Sequence, residues 1–190
     1  EQIGKEIILK SEIGDIISKT TDKKKINRLA VGEGSKQFEN EIISGALSAD
    51  MMDYLLRDGY FTGAEHAKID HNRITNSFEI YKNKLALQSS ALVNFETMMI
   101  SRFQMFKAVY FHKTVRAGEV MLLEAMTLAD DHLGLSKMNA QEYVKQTDDT
   151  ILEQLTSLPE TNAELKAAKK IAVDYQDRKL FKCVFEKTIS

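Results

Sequence analysis

A mainly α-helical chain, with one small β-hairpin and a short terminal strand, is the fold class this sequence predicts. Over residues 90–111 the apolar side chains Leu92, Phe95, Met98, Met99, Phe103, Phe106, Val109 and Tyr110 recur at helical spacing, on one face for about six turns. Ser48, Asp70 and Asn139 stand just ahead of helical patterns as N-cap residues, whose side-chain oxygens suit the free amides of a first turn. Pro159 is the single proline among 190 residues, which points to a compact helical body rather than linked domains.

Taken in order, residues 1–20 read as a helix, with Leu9, Ile13, Ile16 and Ile17 at i, i+4, i+7 and i+8. Residues 20–25 are polar and basic, a loop or solvated turn. Residues 26–31 make a helical turn, and Gly32, Glu33 and Gly34 a loop. That Gly-x-Gly lacks the flanking strand and helix that a phosphate cradle needs. Residues 35–45 form a helix leading into SADMMDYLLRDGYFTG, residues 48–63. There Ser48 caps a helix, Asp50 and Asp53 favour its first turn, and Gly59 stops it. After a glycine-containing connection, Asp70 caps a helix reaching about Asn76. Phe78–Tyr81 and residues 85–87 flank Lys82, Asn83 and Lys84 as a hairpin.

Beyond the helix of residues 90–111, residues 114–133 continue as a nearly all-apolar core helix through Val120, Met121, Leu122, Leu123, Met126 and Leu128. Asn139 and Glu142 form an N-cap and N3 pair for a helix starting at Ala140. Residues 148–158 are helical up to Pro159, and residues 161–173 form a further helix. DYQDRKLFKCVFE, residues 174–186, turns towards β-prone residues, so a strand is expected from about Lys182. The domain division expected is 1–136 for the main helical domain and 137–190 for a helical appendage ending in the strand.

Composition narrows the function classes. Hydrophobic content of 43% and charged content of 28% are ordinary for a globular protein. A formal net charge of −2 offers no overall attraction to nucleic acid or an anionic membrane. Cys183, the lone cysteine, excludes an intrachain disulfide and a cysteine zinc cluster, and favours the cytoplasm. No stretch is long and apolar enough to span a bilayer as a helix.

The polar residues of the 48–63 segment are its most informative feature. Asp50, Tyr54, Arg57 and Asp58 fall at i, i+4, i+7 and i+8, whereas Met51, Met52, Leu55 and Leu56 point elsewhere and need packing. The row reads as one wall of a polar pocket. A solvated surface row is the plainer reading, and Asp53 with Arg57 is itself an i, i+4 ion pair. Arg102, farther along, lies inside the apolar stripe of residues 90–111. Leaving a buried guanidinium unpaired costs about 3–5 kcal/mol, so Arg102 needs a carboxylate, a carbonyl cluster or a bound anion.

Two stretches resemble HD-domain phosphohydrolases, and within them the deoxynucleoside triphosphate triphosphohydrolases. That family carries an Asp-x-Asp-x-x-Asp-Tyr-x-x-Arg-Asp pattern, which Asp50, Asp53, Tyr54, Arg57 and Asp58 match; Ser48 replaces the first acid, and Met51 stands where a basic residue is common. SRFQMFKAVYFHKTVR, residues 101–116, is similar to the family's arginine followed by Tyr-x-His-Lys. The resemblance implies an HD-domain-like helical C-terminal half. It assigns Asp50 as the last ligand of a divalent metal, Arg102 to substrate phosphates, Tyr54, Asp58 and Tyr110 to the sugar-binding wall, and His112 and Lys113 to the His-Lys element, with Lys113 a substrate contact. Asp53 and Arg57 are assigned to a structural ion pair.

The resemblance covers only part of a metal site. Such enzymes bind metal through two histidines and two aspartates, and here His66, His71, His112 and His132 neither pair at i+3 or i+4 nor precede an aspartate. Asp130, Asp131 and His132 offer metal-type side chains but read as a solvated helix end. The chain starts at Glu1-Gln2, which fits the letters following a family histidine, so a C-terminal fragment of a metal-dependent phosphohydrolase is expected. No catalytic residue, and no metal held by this chain alone, is expected. The expected partners are a nucleotide or other phosphorylated small molecule and further copies of the chain, with no specific nucleic acid and no membrane. The alternative is a non-catalytic all-α dimerisation or interaction module.

Overall fold

Short capped helices build most of the molecule, whose computed structural model describes residues 2–64 and 68–185. The chain divides into two compact units, Glu1–Tyr110 and Phe111–Ser190. The expected boundary at 136–137 therefore falls inside the second unit.

In the first unit the expected helix over residues 1–20 is two helices, α1 (Gln2–Lys10) and α2 (Glu12–Ser18). The break is chemical. Ser11 Oγ accepts from the Ile13 amide as the N-cap of α2, and a Cβ at Gly14 would collide with the Ile8 carbonyl. Next come α3 (Lys23–Ala30), capped by Asp22, and α4 (Gln37–Ser44). Helix α5 (Ala49–Thr62) runs past Gly59, correcting the expected stop. Gly59 is buried within the helix, and the true terminator is Gly63, left-handed at φ 68°. Asp70 caps α6 (His71–Thr75), as its position predicts.

The hairpin pairs β1 (Phe78–Tyr81) with β2 (Lys84–Leu87), with Phe78 opposite Leu87 and Tyr81 opposite Lys84. Lys82 and Asn83 take positive φ at the two turn positions, which fits the strand twist. Helix α4 covers this ribbon: the Phe38 amide donates to the Asn83 carbonyl and Glu41 Oε2 accepts from the Leu85 amide at 2.6 Å. Helix α7 (Leu92–Met105) then passes into a π-helical turn, Phe106–Tyr110. The uniform stripe expected over residues 90–111 is thus corrected. Met98 and Met105 are fully buried, whereas Leu92 and Phe103 are 51% and 68% exposed. Met51, Met52, Leu55, Ile69 and Ile74 complete this core with the two methionines of α7.

In the second unit α8 (Lys113–Leu133) packs with α10 (Asp148–Thr156) and α11 (Ala163–Gln176). Small residues allow close approach: Ala125 and Ala129 of α8 and Ala168 and Ala172 of α11 are fully buried in one core with Leu155, Leu158 and Leu165. Helix α8 is amphipathic rather than wholly core, since Val120 and Leu123 are exposed. Between these helices Asn139 and Glu142 close a reciprocal capping box on the short α9 (Ala140–Tyr143). No strand forms at residues 181–185, and the rest of the expected terminal strand, Glu186 included, lies outside the described residues.

Candidate functional site

The site is built on α5. Ser48 Oγ accepts from the Met51 amide, fixing the first turn, and burial of Met51, Met52, Leu55 and Gly59 fixes the rotation of the helix. What remains outward is the polar row. Asp53 and Arg57 leave it sideways as an exposed pair, Arg57 Nη2 lying 2.7 Å from Asp53 Oδ2.

Asp50 and Tyr54 instead line a cavity of about 420 Å³ together with Arg102 from α7, Ser48, Met51 and residues 43–46 ahead of α5. Two segments some fifty residues apart in the chain thus meet at one opening. Arg102 is half-buried, and among the described residues it forms no ion pair with a carboxylate. Its Cζ stands 5.6 Å from the centroid of the Phe106 ring. The expected full burial of Arg102 is corrected, and of the partners expected for it no carboxylate is present among the described residues.

Asp58 and Tyr110 meet one another. The Tyr110 hydroxyl donates to Asp58 Oδ2 at 2.7 Å, and the Tyr110 ring meets Tyr54 edge-on at 6.2 Å between centroids. Burial first, then the hydrogen bond to Asp58 and that carboxylate's charge, push the phenol well above its ordinary pKa. Asp50, Tyr54, Asp58, Arg102 and Tyr110 are therefore gathered where α5 faces α7 and the π turn.

Lys113 is placed otherwise. It opens α8 in the second unit and lines a cavity of about 410 Å³ with Thr114, Arg178, Leu180, Phe181, Lys182 and Cys183. His112 caps α8, its Nδ1 accepting from the Thr114 amide at 3.3 Å. Asp130 accepts from the Ser136 amide and hydroxyl, bonds that hold its carboxyl below the usual range and tie down the end of α8. His71 and His132 are exposed, and His66 lies outside the described residues. Phe106 and residues 43–46 escaped sequence reasoning; an aromatic one helical turn after an arginine was the available signal for the first.

A divalent metal is implied by the resemblance, and the residues present do not make its centre. Among the described residues no three His, Cys, Asp or Glu side chains come together, and Asp50 is the one acid on the cavity wall. A single carboxylate does not hold a catalytic transition metal.

The fold is shared with phosphohydrolases. A phosphohydrolase from Bacteroides thetaiotaomicron superposes with a TM-score of 0.69 at 22% identity, covering 90% of this chain and 48% of that one. A hypothetical protein from Aquifex aeolicus gives a TM-score of 0.77 at 27% identity, covering 91% of this chain and 46% of its own. Residues 69–189 match the HD associated region, and the chain belongs to that family.

Among similar proteins, an uncharacterized protein of Methanocaldococcus jannaschii is 37% identical over 116 residues, 59% of this chain and 24% of that protein. The deoxynucleoside triphosphate triphosphohydrolase SAMHD1 homolog of Dictyostelium discoideum is 27% identical over 147 residues, 76% of this chain and 28% of its own length. The resemblance to HD phosphohydrolases thus stands on family, relatives and fold together. The chain spans about a quarter of the length of these two relatives.

Proposed function

We propose that this chain supplies the phosphate- and sugar-facing wall of a metal-dependent phosphohydrolase acting on nucleotides, deoxynucleoside triphosphates foremost. The observation that carries the reading is the convergence of Asp50, Tyr54 and Arg102 on one cavity, with the guanidinium free of any carboxylate among the described residues. An arginine so placed keeps its fork of N–H donors for phosphate oxygens, where bidentate geometry is strongest. Tyr54 and Tyr110 offer ring faces and edges to a sugar. Asp58 gives one oxygen to Tyr110 and retains lone pairs for a sugar hydroxyl.

The reaction class is attack of water on a phosphate ester or anhydride, in which Arg102 offsets charge gathering on the phosphate oxygens. Asp50 is one carboxylate of the metal set, the remaining ligands coming from outside the described residues. Lys113 is retained as a further phosphate contact only within this proposal, since it belongs to the second unit. A cytoplasmic setting accords with the exposed free thiol of Cys183. Among the described residues no helix is long and apolar enough to cross a membrane.

A second reading, an all-α module that associates with a copy of itself, is favoured by the exposed Val93, Ile100 and Phe103 on α7. The test is made on the full-length gene product. Arg102→Ala is expected to weaken deoxynucleoside triphosphate binding about tenfold or more, as loss of a charge-assisted phosphate contact should, with an unchanged circular dichroism spectrum. Asp50→Ala is expected to lower both metal content and phosphate release. Wild-type nucleotide binding and metal content in both variants would leave only the interaction module.

A further inference from the structure

The rings beside Arg102 form a continuous contact, one member of which, Phe106, the nucleotide reading leaves unused. Arg102 lies over Phe106, the Phe106 ring meets Tyr110 edge-on at 5.1 Å and 72°, and Tyr110 meets Tyr54 in the same manner while donating to Asp58. Phe106 therefore touches both the phosphate-side guanidinium and the sugar-side phenol.

The backbone accounts for this meeting. In an unbroken α-helix Tyr110, eight residues beyond Arg102, would sit about 80° further round the axis. The π turn at Phe106–Tyr110 closes i→i+5, so each residue advances by a smaller angle and the excess rotation is taken back. Tyr110 then faces α5, as Arg102 does. Single π turns inside helices recur at functional sites for this kind of reason, because they re-aim side chains at the cost of regular hydrogen bonding.

Resting on the nucleotide-site reading above, we propose that Phe106 is the positioning residue of that site. Its ring holds the Arg102 guanidinium at the cavity and braces Tyr110 against Asp58, so the phosphate and sugar contacts keep a fixed separation. The choice of a ring over a carboxylate has a chemical reason. A salt bridge would occupy the guanidinium donors and oppose an incoming anion, whereas a ring face orients the cation and leaves its N–H groups unspent.

The test measures binding of deoxyadenosine triphosphate and of inorganic tripolyphosphate to the full-length gene product. Phe106→Leu, which keeps apolar bulk and removes the ring, is expected to weaken the nucleotide about fivefold to tenfold. Tripolyphosphate, which engages Arg102 without a sugar contact, is expected to weaken by a smaller factor. Phe106→Trp restores a ring face and is expected to keep nucleotide binding within about threefold of wild type. A purely structural role would move both ligands equally and would not be rescued by tryptophan.

Equal losses with Leu and Trp, or wild-type nucleotide binding with Leu, overturn the proposal. Should Phe106→Leu unfold, the tryptophan variant decides alone, a tenfold loss with retained fold counting against it. Arg102→Ala separates the two layers of argument. If it abolishes nucleotide binding while Phe106→Leu has no effect, only the positioning role falls; if Arg102→Ala also binds normally, the nucleotide site itself is wrong.

Discussion

The hydrogen bond from Tyr110 to Asp58 gives the sharpest stability prediction, because it joins residues 52 apart in sequence across the face where the site lies. Tyr110→Phe removes the donor and leaves the carboxylate to find water. Hydrogen bonds to charged groups contribute about 1.5–3 kcal/mol, and at a half-buried position the lower part of that range applies, about 1.5–2 kcal/mol. Asp58→Asn keeps an acceptor but removes the charge. The double-mutant cycle is expected to return a coupling of about 1 kcal/mol, read from urea unfolding followed by circular dichroism. The relevant transition is identified as the one that Leu55→Ala also shifts, since the two units need not unfold together.

The same pair predicts a direction with pH. The folded phenol has its pKa raised, so above the ordinary tyrosine value of about 10 the unfolded chain releases a proton that the folded chain retains. The contribution is complete below about pH 10 and is lost as pH rises through the folded value. The stability gap between wild type and Tyr110→Phe is therefore flat from about pH 7 to 9 and narrows above about pH 10. A coupling below about 0.3 kcal/mol, or a gap that widens in alkali, would refute the reasoning.

Three further outcomes follow from packing and backbone. Leu55→Ala, at a fully buried position of the first core, is expected to cost about 2–5 kcal/mol by urea unfolding. Gly63→Ala meets open space but must hold φ near 68°, so about 1–2 kcal/mol is expected at the end of α5 from backbone strain alone, read as a lower urea midpoint. At Gly118 a Cβ would lie 3.2 Å from Tyr175 Cε2; Gly118→Val, adding two more carbons against that ring, is expected to lower the stability of the second unit by about 1–3 kcal/mol.

Local signals were legible where one residue decides the outcome. Ser48, Asp70 and the Asn139–Glu142 box each name a helix start, because a cap satisfies amides that have no other partner. Gly59 misled because glycine has two uses. In α5 it provides a buried smooth face, and the left-handed terminator is the next glycine, Gly63, whose φ is not written in composition. Ser11 likewise breaks what the isoleucine spacing presents as one helix.

The π turn was the feature furthest from sequence reach, and it changes the site most. Just ahead of it, the stripe read from the sequence takes in Phe103 and omits Met105, yet Phe103 is exposed and Met105, seven residues after Met98 and so within about 20° of it on a regular helix, is fully buried. The same reading gives Arg102 a need for a carboxylate, a carbonyl cluster or a bound anion. With the helix locally widened, Phe106 comes between Arg102 and Tyr110, and the cation rests on a ring. The pattern of charges along α5 could suggest a pocket wall; only the backbone rotation after Met105 explains why the opposite wall presents a guanidinium and a phenol side by side. A site assembled this way depends on register as much as residue identity. Inserting one alanine after Lys107 would turn Tyr110 by about 100° relative to Arg102 and should therefore disable it as thoroughly as removing Arg102, though every predicted contact residue would still be present.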